Sequence, residues 1–167
     1  MAIWTSRYNN KELQNEKYYP VGISIGKPRF KLGYELREQC YFLAPERYML
    51  DMEYGHFIEA YHKKLEDAGI NNIINIVKEL DKKAKSRSKE LVLLCFEDVR
   101  VEGDWCHRTI FADWWFNQTR EVILELPDPA SPKVKATVKN YNKKPVKNVD
   151  KKDSMYEQMS IFGMTGI

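Results

Sequence analysis

A chain of 167 residues that is 43% hydrophobic is long enough for one domain with a real core, and its four Trp and ten Tyr predict an aromatic one. No run is long and apolar enough to span a membrane, and no cleavable leader pattern opens the chain. Three cysteines without a Cys-x-x-Cys pair argue for free thiols over a disulfide framework, so a cytoplasmic protein is expected. The formal charge of +3 is unevenly spread: the segment from Ala130 to Ser154 carries eight Lys against Asp150 and Asp153, a net +6, which leaves −3 for the rest. Such a segment is either a solvated linker or a non-specific hold on polyanions through counterion release.

In chain order, Ala2 to Ser6 and Pro20 to Ile25 read as short buried strands, with one or two helical turns between Asn10 and Lys17. Gly26-Lys27-Pro28 breaks the second strand. Phe30 to Leu50 gives no clear period and reads as a short helix or irregular loops. From Tyr54 to Ala68 the spacing of Phe57, Ile58, Tyr61 and Leu65 predicts a helix, and Gly69 suits its end. A second helix, capped by Asn71 or Asn72, turns Ile73, Ile74, Val77, Leu80 and Ala84 inward. Leu91 to Phe96 is a buried strand, His107 to Gln118 a helix, and Glu121 to Leu126 the last strand. This alternation predicts an α/β domain over residues 1–129, a small mostly parallel sheet with helices on both faces. Pro127, Pro129 and Pro132 end it, and residues 130–167 read as a basic flexible tail.

Chemistry gathers between Cys95 and Arg108. An apolar strand ends in Cys95-Phe96-Glu97, and after a polar loop Cys106-His107-Arg108 opens a helix. In parallel sheets ligands bind where strands give way to helices. A helix start favours anions, a thiolate at Cys106 and a gripping guanidinium at Arg108. His107 and Glu97 are candidate proton carriers, which makes Cys106, His107 and Glu97 the candidate catalytic set. Ser6 and Arg7, just past the first strand, face the same edge, so Ser6, Arg7 and Arg108 form the candidate anion site. The competing reading has Cys95 as a core residue and a Glu97–Arg108 ion pair that ties the loop down. Cys95, Cys106 and His107 with Cys40 or Glu97 could surround zinc, but the close ligand pairs of structural zinc sites are missing, and neither a metal nor a cofactor is expected.

The pattern Leu93-Leu94-Cys95-Phe96-Glu97 followed by Cys106-His107-Arg108 resembles the family called domain of unknown function 488. The resemblance takes in Thr5-Ser6-Arg7-Tyr8 and the helix near Tyr54 to Leu65, and so covers about residues 1–127. Where that family ends its second strand in an Asp-Val-Arg-like sequence, this chain has Ile23-Ser24-Ile25-Gly26-Lys27-Pro28, with Ser24 and Lys27 as partial substitutes. The resemblance implies a small α/β domain with a polar pocket and supplies no reaction.

Near the chain end, Gln158-Met159-Ser160-Ile161-Phe162 looks like the pentapeptide that docks on bacterial sliding clamps, with Ile161 and Phe162 as the apolar anchors. The competing reading is that this segment folds back on the domain. Together these features lead to the expectation of an accessory protein in DNA or nucleotide metabolism. It would have an anion pocket at the Cys-His-Arg turn, a clamp-docking tail, nucleic acid or nucleotide as partner and no membrane partner. The alternatives are a thiol-dependent small-molecule enzyme using Cys106 and a non-catalytic binding module in which the Cys-His-Arg turn serves structure.

Overall fold

The computed structural model describes residues 2–133. The flexible-tail reading beyond Lys133 and the peptide Gln158 to Phe162 lie outside the described residues. A five-stranded, all-parallel sheet forms the centre: β1 (Trp4–Arg7), β2 (Tyr18–Gly22), β3 (Glu38–Gln39), β4 (Glu90–Cys95) and β5 (Leu124–Glu125), in the order β3-β2-β4-β1-β5. Three α-helices complete it: α1 (Tyr54–Asp67), α2 (Ile70–Lys85) and α3 (His107–Thr119). The expected parallel α/β architecture is the one observed. Among the described residues, no helix is long and apolar enough to cross a membrane.

The apolar run of β4 follows from its central place. Leu91 and Leu93 pack into one core with Val21, Ile23 and the inward residues of all three α-helices, including Phe57, Ile73 and Trp114. Val92 and Leu94 face a second, smaller core made by Tyr8, Leu13, Tyr18 and Leu126. A strand buried on both faces has no polar side to show, so alternation is absent there. The second face is covered by the 3-10 helix Lys11–Gln14 and the chain around Leu32, Tyr34 and Leu36.

Three local differences from the sequence reading have physical causes. Gly69, at φ 92°, lets the chain leave α1 and enter α2 with no intervening loop. Asn71 and Asn72 therefore sit in the first turn of α2, not at its cap, and the Asn72 side chain donates back to the Ala68 carbonyl at 3.2 Å. The unreadable stretch after Phe30 contains edge strand β3, two residues long, and two 3-10 turns, Tyr41–Leu43 and Arg47–Met49. The last strand is also a two-residue edge, shorter than the Glu121 to Leu126 expected.

Chain order positions the site. The connection after β2 leads outward to β3, whereas that after β4 leads the other way, past β1, to β5. The carboxyl ends of neighbouring β2 and β4 are thus where the connections diverge, the usual ligand crevice of open parallel sheets.

Candidate functional site

Three buried side chains meet at that crevice. Cys95 is the last residue of β4, Cys106 precedes α3, and His107 is the first residue of α3. They are 3%, 2% and 4% exposed, and their sulfur and nitrogen atoms lie within 4.8 Å of one another. His107 Nδ1 is 3.6 Å from Cys95 Sγ and 3.7 Å from Cys106 Sγ. Its other nitrogen, Nε2, lies 2.8 Å from the Ile23 carbonyl at the end of β2. A carbonyl can only accept, so Nε2 carries the proton and donates, and in the neutral ring Nδ1 presents its lone pair to the sulfurs. The ring is held edge-on by Tyr61 of α1, with centroids 5.6 Å apart, and the Tyr61 hydroxyl is itself anchored on the Leu43 carbonyl at 2.6 Å.

Glu97 closes the cluster. The residue is exposed, but its Oε2 turns inward to accept from the Cys106 thiol at 2.9 Å and the Cys95 thiol at 3.2 Å. Burial and the adjacent Cys106 raise the Glu97 carboxyl above its ordinary range. The two thiols titrate as a pair. Hydrogen bonding to Cys106 and burial hold the proton on Cys95. Burial also acts to raise Cys106, but the hydrogen bond from Cys95 and the charge of Arg108 outweigh it and bring that thiol below the usual range.

Arg108 does not face a ligand. It is 1% exposed, and its head is consumed inward: Nη2 and Nε donate to the Glu125 carboxylate at 2.8 and 3.2 Å, and Nη1 donates to the Glu97 carbonyl at 2.8 Å. Thr5 adds a bond to the same Glu125 carboxylate at 2.8 Å. Arg7 is likewise engaged, 2.6 Å from Asp128 and 3.6 Å from Asp98, and Ser6 is buried and accepts from the Asn10 amide at 2.9 Å. The expected anion site of Ser6, Arg7 and Arg108 is therefore corrected: carboxylates already neutralise both arginines. The expected contact between Glu97 and Arg108 exists, but through the Glu97 backbone, with Glu125 as the charged partner.

The candidate catalytic set Cys106, His107 and Glu97 does converge, and Cys95 joins it. Cys40, at the start of the turn after β3, does not. The expectation of no metal rests on the missing close ligand pair; the loop from Phe96 to Trp105 brings Cys95 beside Cys106 and His107 in space, which the sequence spacing does not show. Four cavities of about 390 to 510 Å³ lie elsewhere on the body, and none has Cys95, Glu97, Cys106 or His107 in its wall.

At the same carboxyl end of β4, but on the side of the smaller core, lies a group that sequence reasoning missed. Phe96, between Cys95 and Glu97, is 43% exposed and contacts Tyr8 at 4.9 Å and Phe30 at 6.4 Å between centroids; Phe30 is 41% exposed. Phe30 sits in Lys27-Pro28-Arg29-Phe30-Lys31, whose Lys27, Arg29 and Lys31 are exposed and form no ion pair with any described residue. The base of this loop is pinned: the Tyr8 hydroxyl bonds Ser24 Oγ at 2.7 Å, Ser24 donates to the Gly26 carbonyl at 2.7 Å, and Gln39 donates to the Ser24 carbonyl at 2.6 Å. Aromatic residues interleaved with basic ones were the available signal.

Comparison with protein-family models, curated proteins and solved structures returns no match. The resemblance to domain of unknown function 488 thus rests on sequence alone: the Cys-x-Glu and Cys-His-Arg residues, Thr5 to Tyr8 and the helix near Tyr54 to Leu65.

Proposed function

We propose that the chain is an accessory protein of DNA metabolism whose α/β domain binds single-stranded nucleic acid at the carboxyl edge of β2 and β4. The observation that carries this reading is the exposed Phe30–Phe96 pair beside Lys27, Arg29 and Lys31. Aromatic faces accept any base, at about 1–3 kcal/mol per stacked base, while lysine and arginine follow the phosphates. The nearby acids do not oppose this as a bare sequence count suggests. Asp98 and Asp128 are paired with Arg7 and Arg100, and Glu97 turns to the thiols. The lysine-rich segment after Ala130 adds charge of the same sign, and Gln158 to Phe162 would dock the protein on a sliding clamp.

A thiol-dependent enzyme has less support, because both sulfurs are buried and the described cavities lie away from them.

The test is fluorescence anisotropy of a labelled oligothymidylate against the full chain. Phe30→Ala and Phe96→Ala should each weaken binding about five- to a hundredfold. Replacing Lys27, Arg29 and Lys31 together by Ala should flatten the slope of log affinity against log salt by about 2, at ~0.7 per lost contact. Absence of binding at low salt, or affinity indifferent to all five substitutions, would overturn the reading. Deleting Gln158 to Ile167 should abolish capture by a sliding clamp and leave oligonucleotide binding intact.

A further inference from the structure

We infer that Cys95, Cys106 and His107, with the Glu97 carboxylate as fourth ligand, form a tetrahedral binding site for a zinc-class divalent ion. This inference is independent of the nucleic-acid reading and concerns the helix-covered side of the same sheet edge.

Distance is the first argument. Around a tetrahedral zinc ion, bonds of about 2.3 Å to sulfur and 2.0–2.1 Å to nitrogen put each S···N pair about 3.6 Å apart. The two observed separations are 3.6 and 3.7 Å. The group within 4.8 Å is Cys95, Cys106 and His107; Glu97 Oε2, at 2.9 and 3.2 Å from the sulfurs, would complete it by a side-chain movement that opens the S···O separations to about 3.5 Å.

The second argument is the outer shell. A histidine ligand commonly donates its far nitrogen to a carbonyl or carboxylate, which fixes tautomer and ring direction. His107 does this through Ile23, and Tyr61 packs the ring from the side. The turn carrying Glu97 is fixed the same way, since Arg108 holds its backbone carbonyl at 2.8 Å.

Charge is the third. Two thiols and a carboxylate, all able to become anions, converge on one point. A divalent cation is the natural neutraliser where the nearest guanidinium, that of Arg108, is already committed to Glu125. Two soft sulfurs and an imidazole favour zinc over magnesium or calcium, which take oxygen. The Cys95–Cys106 pair could instead close into a disulfide, an outcome the test resolves.

The experiment loads the untagged full chain, reduced, with cobalt(II) as a spectroscopic stand-in for zinc, and then competes it with zinc. The site predicts one equivalent bound, with sulfur-to-cobalt charge-transfer absorption and the intense d–d bands of a tetrahedral ion, both bleached by zinc. Cys95→Ser and Cys106→Ser should each lose about half of the charge-transfer intensity, one of two sulfur ligands, and the double variant all of it, whereas Cys40→Ser, also buried but outside the cluster, should keep it. Glu97→Gln, nearly isosteric, should retain the charge-transfer band and weaken affinity by about tenfold or more. The inference is overturned if the wild-type chain takes up no stoichiometric cobalt. It is equally overturned if the band is undiminished in the folded Cys106→Ser variant or survives in the folded double variant, or if Cys95 and Cys106 are recovered as a disulfide that no reductant opens for metal.

Discussion

Arg108 is fully buried with three acceptor sites around its head, two on Glu125 and one on the Glu97 backbone. Only a planar fork meets them all; a lysine has one point of charge and loses the paired geometry. Arg108→Ala leaves a cavity and an unpaired Glu97 carbonyl, with Glu125 still reached by solvent, and should cost about 2–4 kcal/mol, and Arg108→Lys about 1–3 kcal/mol, both read from urea denaturation. An Arg108→Ala protein as stable as the parent but defective in oligonucleotide binding would restore the anion-site reading. The sequence marked Cys106-His107-Arg108 as a helix-opening turn, which it is. It could not mark the inward turn of the arginine, because Glu125 lies 17 residues on and carries no local signature of partnership. The Ile23 carbonyl that fixes His107 was equally hidden, since a backbone atom leaves no trace in residue type.

At the scale of elements, strong periods were legible and short edges were not. β4 could be read from its unbroken apolar run, and α1 and α2 from helical spacing. β3 is two residues long, and nothing in so few residues distinguishes an edge strand from a loop; β5 falls within the strand expected over Glu121 to Leu126 but spans only two of those residues. The meeting of Cys95 with Cys106 was hidden for a similar reason. Spacing rules recognise ligands joined by a tight turn, whereas these two are joined by a strand end, a loop and a helix start. The same strand ends give a stability prediction. At Gly22 a β-carbon would meet the Gln39 amide oxygen and the Tyr8 hydroxyl, both of which belong to the network that pins the Ser24–Gly26 turn. Gly22→Ala should therefore destabilise by about 1–3 kcal/mol in thermal unfolding and loosen the Lys27–Lys31 loop, seen as faster amide exchange there. A neutral substitution would mean that this network does not hold the loop.

For the molecule as a whole, the two proposals stack on one edge of the sheet. The thiols and imidazole are buried between the end of β4 and α3, and the Phe30–Phe96 pair with its cations lies at the same carboxyl edge on the side of the smaller core. In this account Lys27, Arg29 and Lys31 and the basic segment after Ala130 supply the charge that attracts a polyanion. A metal held by the buried set would join β4 to α3 and stabilise the folded state by mass action, because the unfolded chain cannot assemble the set. The most direct measurement is X-ray absorption at the zinc edge on the untagged full chain purified under reducing conditions. The account predicts a four-coordinate first shell of two sulfurs at about 2.3 Å and two nitrogen or oxygen atoms at about 2.0–2.1 Å. A shell of nitrogen and oxygen alone, or zinc well below one per chain after loading, would contradict it.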